Sequence, residues 1–297
     1  MSTERPPTID PQAASRWQLS ARKQSPWLHE EVARRMEDRL QWIVQHPKQW
    51  VHWEPLRGGL EAQALLRQRY PKSECFMLES TVEQAQKAIK SIAIPWWKPT
   101  RWTAAPVHLE APQMPVQMVW ANMALHMASD PQALMARWHG LLAPDGFLMF
   151  SCFGPDTLRE LRCIYADNGW PPPAHTFTDM HDWGDMLAHA GFAEPVMDME
   201  RISLSFSSPE SLLAELRGLG RNLHPARFSG LRGKAWRKML HSTMSRELAN
   251  PQDEGRLKLT FEIIYGHAFK PQPRLPVQAQ TTVSLDEMRK ALRQGKP

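Results

Sequence analysis

Residues 130–152 read DPQALMARWHGLLAPDGFLMFSC, and the fold class follows from how that stretch divides. Asp130 suits a helix N-cap and Pro131 its first turn, where no backbone N–H is required. Leu134, Trp138, Leu141 and Leu142 recur at helical spacing on one face. Pro144-Asp145-Gly146 then makes a turn, and 147–152 is an apolar run of the kind found in a strand buried on both faces. A helix feeding such a strand is half of a right-handed crossover.

The alternation continues in both directions. Upstream, 27–43 carries Val32, Met36, Leu40 and Ile43 at helical spacing, and 50–53 is a short apolar strand. A turn at 54–59 leads into a helix that Pro71 ends; strand 75–78 closes on Glu79 and Ser80. A helix at 82–92 and a strand at 116–121 complete the run. Downstream come a helix over 182–190 ending at Gly191, an alternating strand over 195–206, an Arg-rich helical stretch over 208–248 and a last strand over 257–269. Strand and helix in turn predict a doubly wound α/β layer on a parallel sheet. Such sheets hold their ligand beyond the carboxyl ends of the strands. The candidate site therefore lies at 54–59, at Glu79 and Ser80, around Asn122 and after Ser151.

Composition narrows the function. With 297 residues, 42% hydrophobic and 23% charged, the chain is long enough for one large domain and is neither disordered nor collagen-like. A net charge of +5 is mild, below what a dedicated nucleic-acid binder carries, and no recognition motif is present. Cys75, Cys152 and Cys163 are odd in number and lack C-x-x-C spacing, so they read as reduced thiols of a cytoplasmic protein. No apolar run approaches the roughly 18 residues needed to cross a bilayer, and the polar start lacks a signal-peptide pattern. His126, His175, His181 and His267 lack i, i+4 pairing, so no metal is expected. Residues 1–26 read as a polar, loose or partly helical arm and 271–297 as a Pro-rich, charged tail.

Beyond these patterns, FSCFGPDTLREL at 150–161 is distinctive. So, in order, are NMALH at 122–126 followed by Asp130-Pro131, FTDMHD at 177–182 running on to PVMD at 195–198, and EIIYGHA at 262–268. On these blocks the chain resembles the S-adenosylmethionine-dependent malonyl-carrier-protein O-methyltransferases of biotin synthesis, over most of residues 30–270. The resemblance implies a Rossmann-like class I methyltransferase domain over 27–270. It implies a mostly parallel seven-stranded sheet with the last strand antiparallel and a helical insertion, 208–248, between strands six and seven. It also implies S-adenosylmethionine as cofactor and a malonyl thioester on an acyl carrier protein as substrate.

The implied cofactor residues are Glu54, Gly58, Gly59, Glu79 and Asn122. Glu79, ending the second strand, would accept the ribose hydroxyls. The family's G-x-G-x-G loop is degenerate here: Gly58 takes the middle place, while Leu56 and Leu60 stand where the outer glycines belong. The family's acid after the third strand has no counterpart between Ala104 and Glu110, Gln117 stands where Asp is usual, and Arg22-Lys23 falls near the family's Tyr-Asp.

Methylating a carboxylate needs no general base, because the nucleophile is already ionised at neutral pH. The task is positioning. Arg159 and Arg162 are the candidates to orient the malonyl carboxylate, with Tyr265 contributing a hydrogen bond. The basic run Arg217, Arg221, Arg227, Arg232, Lys234, Arg237 and Lys238 could meet an acidic carrier protein, or simply be a solvated face. The paired Trp96-Trp97 reads as core or as an exposed lip. The loss of two glycines keeps a second reading open, a non-catalytic descendant acting through protein interaction. The oligomeric state is not legible.

Overall fold

The computed structural model describes residues 9–20, 24–93 and 105–273. Arg22-Lys23, Trp96-Trp97 and all of the C-terminal tail after residue 273 lie outside the described residues. Helix α1 (Pro11–Leu19) starts on Asp10, whose carboxylate accepts from Gln12 N and Ala13 N. Helix α2 (Trp27–Arg39) follows, and a short 3-10 turn, Leu40–Trp42, ends what the periodicity reads as one longer helix. Then come β1 (Gln49–Trp53), the single turn α3 (Pro55–Gly58), α4 (Ala62–Arg69), β2 (Glu74–Leu78), α5 (Val82–Ser91), β3 (Val107–His108) and β4 (Val116–Ala121).

The second half begins with α6 (Pro131–Leu141), where Asp130 Oδ1 accepts from Ala133 N as the N-cap pattern predicts. It continues through β5 (Leu142–Phe153), α7 (Arg159–Asp167), α8 (Met180–His189) and β6 (Ala193–Phe206). Helices α9 (Pro209–Leu219) and α10 (Lys234–Glu247) occupy the stretch read as continuously helical, with a non-helical segment between them. The short β7 (Ala249–Asn250) precedes the long last strand, β8 (Arg256–Phe269).

The sheet order is β3-β2-β1-β4-β5-β8-β6, with β7 pairing off β8. The neighbouring pairs from β3 to β5 are parallel; β8 runs antiparallel to both β5 and β6. This is the doubly wound, mostly parallel layer expected. One expectation needs correcting: Pro144-Asp145-Gly146 is not a turn before β5. It lies inside the strand as an irregularity, with the register shifting between Val116↔Leu142 and Met118↔Phe147 and Asp145 at φ 63. The extra residues are absorbed as a bulge, which also moves Leu142 from the helix face into the strand.

Alternate residues of the central strands feed two cores. Met118, Trp120, Phe147 and Met149 face one layer, while Val119, Ala121, Leu148 and Phe150 face the other. Both faces being covered is why these strands read as unbroken apolar runs. Gly266, in β8, sits where a Cβ would come within 2.5 Å of Phe150 Cζ and 2.8 Å of Met197 Sδ. Gly266→Ala is expected to lower stability by about 2 kcal/mol through overpacking, measurable by urea unfolding; an unchanged midpoint would show that the ring can move aside.

Candidate active site

The strand tips converge on the 54–59 loop. Glu54 has left-handed backbone (φ 45, ψ 53), a conformation costly for a non-glycine residue and common at functional turns. From it the chain turns into α3, whose first N–H group, that of Leu56, points back at the end of β2. Leu56 N donates to Glu79 Oε1 at 2.8 Å, so the acid at the end of β2 is bound to the loop by one oxygen. Its other oxygen, Oε2, is buried with no partner. Burial, with the loop N–H working against it, pushes the Glu79 carboxyl up to about 7.

Gly58 packs directly on the end of β4. A Cβ there would overlap the Asn122 carbonyl oxygen, and the Asn122 side-chain amide donates to Gly58 O and, at 2.8 Å, to His29 O. Ser151 Oγ donates to Asn122 Oδ1 at 2.6 Å, so the whole carboxamide is committed to holding loop, α2 and β5 together. Gly59, at φ 122, is needed for its backbone, and a Cβ would meet Glu30 Oε2 at 2.9 Å.

The side chains at the two lost glycines turn away. Leu56 is 1% exposed and belongs to the core under α2, and Leu60 packs against that same core. Neither lines the hollow of about 50 Å³ that opens beside the loop, whose walls include Trp17, Glu54, Arg57, Asn122, Met127 and Leu219.

A second cavity, of about 240 Å³, adjoins it through Met127 and Leu219. Phe153, Leu158, Phe177 and Phe261 make it apolar, and Arg217 and Arg221 from the insertion line it as well. Its buried histidines are neutral at pH 7. Burial holds His175 down at about 4 and His126 well below its ordinary value.

Arg159, Arg162 and Tyr265 are not brought to either cavity. Arg159 stands on the outside of α7, beside Asp156 and Glu160 at 3.6 and 3.5 Å. Arg162 donates to Pro155 O. Tyr265 is buried, donates from its hydroxyl to Glu200 Oε1 at 2.7 Å and lies under the Arg39 guanidinium. All three therefore sit in ion-pair, hydroxyl or carbonyl contacts outside the lining of both cavities. Two groups were missed. Arg217 and Arg221 lay within the basic run, and only the non-helical break after Leu219 distinguishes them from a solvated face. Arg57 and Trp17 carry no sequence signal, since only burial singles them out.

No protein-family model matches the chain. Curated sequences do. A malonyl-[acyl-carrier protein] O-methyltransferase of Gallionella capsiferriformans is 34% identical over 257 residues, covering 84% of this chain and 86% of that protein. The chain belongs to the malonyl-[acyl-carrier protein] O-methyltransferase family. The namesake from Laribacter hongkongensis is 35% identical, with 83% and 84% covered. A putative methyltransferase from Bacillus halodurans and the YcgJ protein of Bacillus subtilis superpose with TM-scores of 0.52, each at 13% identity and over 82% of this chain. They cover 100% and 99% of those chains and share the fold. Among the described residues of this O-methyltransferase family member, no helix is long and apolar enough to cross a membrane. Among those residues, too, no group of three or more His, Cys, Asp or Glu is placed to hold a metal ion.

Proposed function

We propose that the chain methylates the free carboxylate of a malonyl thioester carried on an acyl carrier protein, with S-adenosylmethionine as donor, as a step of biotin synthesis. The observation that carries the reading is the pair of adjoining cavities, a charged hollow at the glycine loop and an apolar one edged by arginines. The residues present fit the cofactor. Glu79 has a buried oxygen without a partner where ribose hydroxyls would be received, and the leucines that replace glycine face the core. Glu54 and Glu79 add negative charge beside a site for a sulfonium. When bound, S-adenosylmethionine supplies an electrophilic methyl group.

The rest falls to this chain's own side chains. No base is required, in keeping with His126 and His175 being uncharged and tied into the fold; His175 Nε2 lies 2.8 Å from His126 O. Arg217 and Arg221 orient the carboxylate, taking the role first considered for Arg159 and Arg162. Trp17, Phe153 and Phe177 exclude water. The remaining basic side chains of α10, Arg237 and Lys238 among them, favour encounter with an acidic carrier. Within this reading, 27–270 is the methyltransferase-like domain, 208–248 its insertion, 1–26 an arm and 271–297 a tail. The three cysteines, all unpaired, suit a cytoplasmic setting.

Steady-state assays with malonyl-carrier protein test it. Arg221→Ala and Arg217→Ala are each expected to raise KM for that substrate by about 10-fold or more, the effect of losing a charge-assisted bond, with affinity for S-adenosylhomocysteine unchanged. An unaltered KM in both variants would remove the carboxylate from this cavity.

A further inference from the structure

Arg57 occupies the second place of the degenerate loop, between Leu56 and the middle glycine, and is only 8% exposed. A buried guanidinium ordinarily pairs with a carboxylate. This one does not. Its Nη2 donates to the carbonyls of Trp17 and Gln18, both at 2.7 Å, and of Ser20 at 3.3 Å, at the end of α1. That contact suits the negative end of a helix. Nε and Nη1 remain buried with no partner. Leaving charged donors unmatched in a dry site is costly, and natural sites that do so generally receive an anion.

The hollow that Arg57 lines is also lined by Glu54, whose Oε1 accepts from Ser80 Oγ. A cation with two vacant donors and an acid share one small cleft. Their chemistry complements a zwitterion, with the carboxylate meeting Arg57 and the ammonium meeting Glu54. The hollow lies at the tips of β1 and β4, to one side of Glu79, so a ligand whose ribose reaches Glu79 would lay its amino-acid end here.

We infer that Arg57 is the positioning residue for the α-carboxylate of an amino-acid-bearing ligand, standing in for backbone contacts that a glycine-rich loop would make. This rests on the cofactor reading above, and names the residue that recognises that ligand's far end. Arg57 thereby has two roles. One nitrogen fastens α1 over the hollow, and the other two face the ligand's charge.

Calorimetric titration with two ligands separates these roles. S-adenosylhomocysteine carries the amino-acid end, and 5′-methylthioadenosine lacks it. The wild type is expected to bind the first more tightly. Arg57→Gln is expected to weaken S-adenosylhomocysteine by about 10- to 100-fold and to leave 5′-methylthioadenosine unchanged. Arg57→Lys, which keeps the charge but not the fork, falls between; if the glutamine variant does not fold, the lysine variant makes the same comparison alone. Equal weakening of both ligands would show that Arg57 only fastens α1, and no weakening of either would show that the carboxylate lies elsewhere; both overturn the inference. A wild type that binds neither ligand removes the cofactor reading itself, and this assignment with it.

Discussion

Glu79→Gln is expected to make the protein more stable at pH 8.5 while weakening S-adenosylhomocysteine by about 10- to 100-fold. Burial raises the Glu79 carboxyl from its ordinary 4.5 to about 7 in the folded chain. A raised carboxyl pKa means that the folded state prefers the protonated form. The stability tied to that preference is fully present below pH 4.5 and is lost as pH rises through about 7. Glutamine stays neutral and can still accept the Leu56 N–H, so it keeps that stability, worth about 2–3 kcal/mol at pH 8.5. Thermal melts at pH 4.5 and 8.5 should therefore show the variant's advantage only at the higher pH. Binding runs the other way, because the ionised acid receives hydroxyl donors best. Wild-type affinity should climb from pH 6 to 8 and the variant's stay flat. Equal melting at both pH values, or unchanged affinity, would show that the orphaned oxygen is not poised for a ligand.

Gly58→Ala is the second large effect. The added methyl would overlap a main-chain oxygen of Asn122, and neither the loop nor β4 can yield without breaking the amide clasp that joins Gly58, His29 and Asn122. A loss of about 3 kcal/mol is expected, together with loss of S-adenosylhomocysteine binding, read by urea unfolding and calorimetry. Restoring the family pattern at the neighbouring places should not help. Leu60→Gly is expected to leave affinity within about twofold, and Leu56→Gly to cost stability without gain in binding, since that side chain fills the core beneath α2. Tighter binding by either would show that the leucines do obstruct the cleft.

These contrasts explain what could be read beforehand. The Asp130 cap, the apolar runs of β4 and β5 and the alternating β6 were legible because each is a local pattern answering to burial on one or two faces. The bulge at Asp145 was not, because a Pro-Asp-Gly triplet reads as a turn whether or not a neighbouring strand absorbs it. At the site, Glu79 was legible from its place after β2. The degenerate loop was misleading in the letters alone. Gly58 is the position where main chain meets main chain, whereas the outer places face a core that welcomes leucine. Arg57 had no pattern to announce it, because its partners are carbonyls of a helix some forty residues earlier. Arg159 and Arg162 looked best placed after β5, yet it is Leu158 and Leu161 of that segment that line the second cavity, while the two arginines turn to Asp156, Glu160 and Pro155.

The position of β8 bears on how the molecule is made. Fourteen residues that come after β6 in the sequence form the strand that belongs between β5 and β6. Until they emerge, two long rows of backbone donors and acceptors stand open, one of them on a strand already buried on its outer faces by helices. Synthesis from the amino end thus delivers five paired strands, β3-β2-β1-β4-β5, with β6 not yet joined to them. A chain truncated short of residue 256 keeps the hollow's walls but leaves those rows unpaired, a state prone to stick to its neighbours.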